Sequence, residues 1–155
     1  MGIEIMEFQN ALKKLKRVGL DSSILIYHLE DLEPYASFTE NIFARVAEGS
    51  LSAVLSTVSV TELLVQPFTT GQKDRIAAIE RFLFSLPNTE IKSPDYPIAR
   101  EAARLRSKYR VRTPDALLIA TSINEKADAF ITNDAGLRAL RDEGLTILVL
   151  ADFLR

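Results

Sequence analysis

The chain contains no cysteine, which excludes disulfide bonds and thiolate-bound zinc. It has one histidine, His28, set in an apolar stretch where packing or surface exposure is expected rather than catalysis. No apolar run approaches the ~20 residues of a membrane span, and the start lacks the apolar core of a secretion signal. A cytoplasmic protein with no membrane association is therefore expected. Nineteen Lys and Arg nearly balance twenty-one Asp and Glu, for a net charge of −2. No global excess of positive charge marks nucleic-acid binding, so any such binding must come from a local patch. Six Gly and six Pro are too few to indicate disorder, and neither an internal repeat nor a low-complexity tract is present.

What is present is a 155-residue chain, 47% hydrophobic, long enough for one domain with a substantial core. Helical and strand patterns alternate, which fits a single α/β layer structure. Residues 7–16 place Phe8, Leu12 and Leu15 at helical spacing among lysines, an amphipathic helix expected to be an accessory docking element. A short apolar run at 18–20 ends at Asp21 and turns helical over 22–29. A helix over 34–47 with Tyr35, Phe38, Ile42 and Val46 on one face is stopped by Gly49-Ser50. Residues 53–57 predict a strand, and Ser59 caps a helix to Gln66 that Pro67 ends; Ser59 and Glu62 then make a capping box. Further helices are expected over 73–86, 97–109 and 135–141, with strands at 89–92 (an edge), 129–132 and 146–150. Five strands separated by helices imply a parallel sheet with right-handed crossovers.

The stretch 113–134 organises the rest. Thr113 is expected as the helix cap, Pro114 suits the first turn, and Asp115 places a negative charge at the positive end of the helix dipole. The helix gives way to the apolar strand 129–132, with Asn133-Asp134 just beyond it. Asp21 follows the first strand and Glu62 lies beyond the second. In an open parallel sheet, ligands bind outside the carboxyl ends of the strands, near the point where strand order reverses. Asp21, Glu62, Asp115 and Asp134 should then share one cleft. Four carboxylates there repel one another and need protons or cations, and an all-oxygen set favours Mg²⁺ or Mn²⁺ over zinc. Singly, each acid has a plainer role. Glu62 can close its capping box, Asp115 can complement a dipole, and Asp21 and Asp134 can cap helices. Their location at one sheet edge is what argues against that.

Four segments, Gly19-Leu20-Asp21-Ser22-Ser23-Ile24-Leu25-Ile26-Tyr27, Ser59-Val60-Thr61-Glu62-Leu63-Leu64, Thr113-Pro114-Asp115-Ala116-Leu117-Leu118-Ile119-Ala120 and Ile131-Thr132-Asn133-Asp134, resemble in order the motifs of the PIN-domain nucleases. Size and motif order resemble more narrowly the VapC-type toxins of VapBC toxin–antitoxin systems. The resemblance implies a single-domain PIN-like α/β fold over 18–155, with a five-stranded parallel sheet flanked by helices, preceded by the accessory helix in 1–17. It implies metal-dependent hydrolysis of RNA phosphodiesters by an endoribonuclease, and a small antitoxin protein as partner. Asp21, Glu62, Asp115 and Asp134 carry over as catalytic residues and ligands of Mg²⁺ or Mn²⁺, with Thr132 as the hydroxyl beside the last. Where Ser23 stands, related chains often carry Asn. Many also begin almost directly with the first strand, so the leading helix departs from the pattern.

The run from Arg100 to Arg112 holds Arg100, Arg104, Arg106, Lys108, Arg110 and Arg112 against one acid, Glu101. A solvated helix face accounts for Arg100 and Arg104. Arg110 and Arg112 directly precede Asp115, so they, with Ser22, are the expected substrate-binding residues. Phe68, Phe82 and Phe84 exceed what one core stripe needs, and a homodimer is expected from them, the alternative being a thick core. A phosphatase with an acid after its first strand would need a second Asp where Ser23 stands, and a phosphoacceptor domain would need paired acids there. A catalytically silent PIN-like scaffold that binds RNA or protein is the non-enzymatic alternative; lost acids would be its mark, and here all four are present.

Overall fold

The computed structural model describes residues 2–155, so of the expected leading segment only Met1 lies outside the described residues. In chain order the elements are α1 (Gly2–Lys13), β1 (Arg17–Leu20), α2 (Ser22–Leu29), α3 (Tyr35–Glu48), β2 (Ser52–Ser56), α4 (Thr57–Thr69), α5 (Lys73–Ser85), β3 (Thr89–Lys92), α6 (Tyr96–Lys108), α7 (Thr113–Asn124), β4 (Ala129–Thr132) and β5 (Thr146–Val149). Tight 3-10 helices at Ala135–Glu143 and Leu150–Phe153 flank the last strand. The sheet is five-stranded and parallel throughout, in the order β3-β2-β1-β4-β5.

That order places the sequence's acids. The chain builds outward from β1 to β2 and β3, then returns to lay β4 on the other side of β1. The reversal falls between β1 and β4, whose carboxyl ends carry Asp21 and Asp134. Side chains on β4 alternate between two cores. Ala129 and Ile131 join the cluster built with Leu20, Ile24, Phe38 and Ile42, whereas Phe130 joins Ile98, Leu105, Ala116 and Ile119 beneath α6 and α7. Gly19 lets α7 approach the sheet. A Cβ there would meet Ser122 Oγ at 1.8 Å and Ser122 Cβ at 2.8 Å, so only glycine permits the contact.

Several expected boundaries move, for local reasons. Helix α4 begins at Thr57, capped by Ser56, whose hydroxyl accepts from the Val58 N–H at 3.1 Å; Ser59 is inside the helix and the Ser59–Glu62 capping box does not form. Pro67 lies within α4 and does not end it, its ring buried and the helix running on to Thr69. Arg112, not Thr113, is the cap residue of α7, and the Thr113 hydroxyl instead accepts from Arg106 at 2.8 Å. Asp95 caps α6 by accepting from the Ile98 N–H at 3.2 Å. Helix α1, expected as an accessory element, buries Phe8 and Leu12 fully in the first core, and Phe8 packs edge-on against Phe38 and Phe153 at 5.1 Å.

Candidate active site

A cleft of about 300 Å³ opens at the carboxyl end of the sheet, lined by Asp21, Ser22, Ser23, Ile26, Tyr27, Glu62, Arg112, Asp115, Asn133 and Asp134. All four acids singled out in the sequence meet there, each delivered by a different element. Asp21 ends β1, Glu62 projects from the second turn of α4, Asp115 lies in the first turn of α7, and Asp134 follows β4.

The hydrogen bonds show which of these acids take the plain capping role. Asp21 occupies the cap position of α2, yet its carboxylate makes no capping bond. Its Oδ2 instead accepts from the buried Thr132 hydroxyl at 2.6 Å, and no cationic side chain pairs with it among the described residues. Burial pushes the Asp21 carboxyl above its usual range, and the charges of Asp115 and Glu62 push the same way, while the Thr132 hydroxyl opposes them. Thr132 is tied in turn, since its oxygen accepts from the Asp134 N–H at 3.0 Å. One hydroxyl thus links the tips of β1 and β4.

Glu62 is held from beneath. Ser22 Oγ lies 2.8 Å from Glu62 Oε1 and 2.8 Å from Ser59 Oγ, and both serines are buried. Ser22 has one hydroxyl proton and a carboxylate can only accept, so Ser22 donates to Glu62 and accepts from Ser59. Ser22, expected to touch substrate, lines the cleft, and its hydroxyl is bonded to Glu62. Asp115 pairs with Arg112, Nε to Oδ2 at 3.3 Å, on an arginine side chain that is 77% exposed. Asp134 does cap, its Oδ1 accepting from the Gly136 N–H at 2.9 Å, which leaves its second oxygen for the cleft. Arg110 is exposed, next to the chain that leads into α7.

Three polar lining residues, Ser23, Tyr27 and Asn133, had no role in the sequence reading. Asn133 donates to the Tyr27 hydroxyl at 3.1 Å and accepts from the Ala151 N–H at 2.9 Å. Tyr27 lies one helical turn beyond Ser23, whose buried hydroxyl has no hydrogen-bond partner among the described residues. Proximity in sequence to Asp21 and Asp134 was the available signal, but the pairing of Tyr27 with Asn133 spans 106 positions. Three others of the basic run have structural partners: Arg106 donates to the Val111 carbonyl at 3.1 Å, and Arg104 with Lys108 pairs with Glu143. Arg104, expected on a solvated face, is thereby tied to the 3-10 helix at Ala135–Glu143.

The donor set of the cleft is all oxygen: four carboxylates, of which Asp115 alone has a cationic partner among the described residues, and a hydroxyl with no hydrogen-bond partner among them. By chemistry this fits a hard divalent cation. As the side chains stand, no group of three or more acids or histidines among the described residues is arranged to hold an ion.

The chain belongs to the PIN-domain family of nucleases, its residues 18–143 matching the family from the start of β1 to the end of the 3-10 helix. Its fold is similar to that of a chain of VapBC2 from Rickettsia felis, bound to a DNA fragment from their promoter, with TM-score 0.66, 18% identity, and 84% of this chain and 96% of that one covered. FitAcB from Neisseria gonorrhoeae is similar at TM-score 0.65 and 19% identity, covering 86% of this chain and 97% of that one. VapBC-5 from Mycobacterium tuberculosis, a member of the VapBC family of toxin–antitoxin systems, is similar at TM-score 0.53 and 24% identity, covering 85% and 98%. At such identities the likeness is one of fold. No curated protein matches the chain. No helix among the described residues is long and apolar enough to cross a membrane.

Proposed function

We propose that this chain is a divalent-metal-dependent endoribonuclease of the cytoplasm and the toxin of a toxin–antitoxin pair. The observation that carries the reading is the cleft at the strand-order reversal, where four carboxylates converge and Asp21 accepts from the buried Thr132 hydroxyl with no cationic partner among the described residues. Mg²⁺ or Mn²⁺, when bound, activates a water and neutralises charge on the phosphate under in-line attack. Asp21 is the central ligand, with Asp115 and Asp134 beside it. Thr132 fixes the rotamer of Asp21, and the Ser59–Ser22 chain presents Glu62 to the ion or to a water on it. Arg112, exposed and lining the cleft, and Arg110 beside it are placed to attract the RNA backbone. The complexes formed by chains of similar fold support a small antitoxin as the partner. The test is cleavage of a mixed RNA pool with Mg²⁺, with Mn²⁺ and with chelator. Cleavage with either metal and none with chelator is the expected result. Cleavage that persists in chelator overturns the metal assignment, and no cleavage by metal-loaded protein returns the chain to the binding-scaffold reading.

A further inference from the structure

We propose that Tyr27, backed by Tyr35, is a stacking platform for one unpaired base of the RNA bound at the acidic cleft, an inference that rests on the ribonuclease reading. Tyr27 lines the cleft together with Asp21, Glu62, Asp115 and Asp134. Its ring is braced by its neighbours. Tyr35 lies against it with ring centroids 4.8 Å apart and planes 31° apart, and Asn133 binds its hydroxyl at 3.1 Å. Asn133 is itself anchored by the Ala151 N–H at 2.9 Å, so the ring is held before any ligand arrives. A fixed aromatic surface loses little freedom on binding, which is the condition under which stacking contributes most to affinity. Among the lining residues Tyr27 is the one aromatic ring, and it supplies the flat face on which a base can stack. At about 300 Å³ the cleft is at the lower end of ligand-site volumes, ~300–1,000 Å³, a size for a nucleotide taken out of a helix rather than for a duplex. Stacking accepts any base, so Tyr27 sets a demand for an unpaired nucleotide more than for a sequence.

The competing role for Tyr27 is structural, a prop for Asn133 and the strand tip that carries Asp134. Two substitutions separate the roles, because Tyr27→Phe keeps the ring and loses the bond to Asn133, whereas Tyr27→Leu loses the ring. Binding of a fluorescently labelled single-stranded oligoribonucleotide is measured on full-length Asp21→Asn protein, which holds RNA without cutting it. Tyr27→Leu in that background should weaken binding about tenfold, the fold-change of losing one base–aromatic stack, and Tyr27→Phe should restore it. The same oligonucleotide carrying one abasic nucleotide, moved along the chain, should lose about tenfold at a single position. That loss should vanish against Tyr27→Leu, since ring and base form one contact. The abasic scan on Asp21→Asn alone keeps the test decisive if Tyr27→Leu does not fold. Equal losses for Phe and Leu assign Tyr27 to propping Asn133 and overturn the proposal, as does a scan with no sensitive position. Binding that is tight but indifferent to Tyr27 overturns stacking and leaves the ribonuclease reading standing; absence of any RNA binding overturns both.

Discussion

Asp115 is the residue whose two roles differ most in magnitude. It sits in the first turn of α7, where a carboxylate complements the helix dipole, and it pairs with an arginine that is mostly in solvent. Loss of the dipole interaction costs about 0.3–1 kcal/mol of stability, and an exposed ion pair adds at most about as much again. Loss of a metal ligand lowers turnover by orders of magnitude, because charge stabilisation by the ion is worth several kcal/mol. Asp115→Asn preserves shape while removing the charge. The expected outcome is a folded protein, its melting temperature lowered by at most about 8 °C, with RNA cleavage reduced about a hundredfold or more. Near-normal cleavage would leave Asp115 a structural residue. The four acids were legible at this scale because Asp21 and Asp134 each follow a strand pattern while Glu62 and Asp115 fall in the opening turns of expected helices. Their supports were not. Ser59 reads as a cap residue and Ser22 as a substrate contact in sequence, and only the fold shows that their hydroxyls bond in series to Glu62.

Among the elements, the sheet was readable and the caps were not. Apolar four- and five-residue runs separated by helices dictated five parallel strands, and the five strands are present. Cap assignments failed where two hydroxyls compete for one helix start, as Ser56 and Ser59 do on α4, because the choice depends on which backbone leaves the strand first. The contact between α6 and the 3-10 helix at Ala135–Glu143 was likewise invisible, since it joins residues 34 to 39 positions apart. Glu143 there receives Arg104, Lys108 at 3.1 Å and the Tyr109 hydroxyl at 2.7 Å. The Arg104 guanidinium, followed by Tyr109 and Lys108, pulls the Glu143 carboxyl from its usual 4.5 down to about 2. A carboxyl depressed on folding stabilises the fold above its unfolded pKa, and that contribution disappears as pH falls through the folded value. The melting temperature of the wild type should therefore exceed that of Glu143→Gln by a constant margin from pH 7 to about 5. With half-exposed, screened partners the margin corresponds to about 1 kcal/mol, or about 2–4 °C. Between pH 4.5 and about 2 the two curves should converge. A margin that persists unchanged at pH 2 would show that Glu143 contributes through packing rather than charge.

For the whole molecule, the open question is what covers its exposed aromatics. Three phenylalanines exceeded the expected core stripe, and the structure divides them. Phe82 is half-buried and packs edge-on against Phe43 at 5.6 Å and tilted against His28 at 5.7 Å, so it is accounted for within one chain. His28 shares that aromatic group, where its Nδ1 faces the Thr39 hydroxyl at 3.1 Å and burial lowers its pKa; packing is its role. Phe68 and Phe84 remain 66% and 78% exposed, on α4 and α5. A single exposed side chain is ordinary, but two large rings on one helical hairpin, with Val65 58% exposed one turn from Phe68, leave apolar area that a second copy of the hairpin would bury. With a net charge of only −2, self-repulsion does not oppose pairing. The proposed homodimer has a measurable consequence. Light scattering on the eluting protein should give twice the chain mass of 17.3 kDa. Phe84→Ser and Phe68→Ser should each shift that equilibrium toward monomer without lowering the melting temperature of dilute protein, because neither ring contributes to the core. A wild type that stays monomeric at the highest soluble concentration would refute the homodimer. The exposed rings would then be left for a partner of different sequence, and a complex of the wild type with a co-expressed antitoxin should protect both phenylalanines from solvent and be weakened by the same two substitutions.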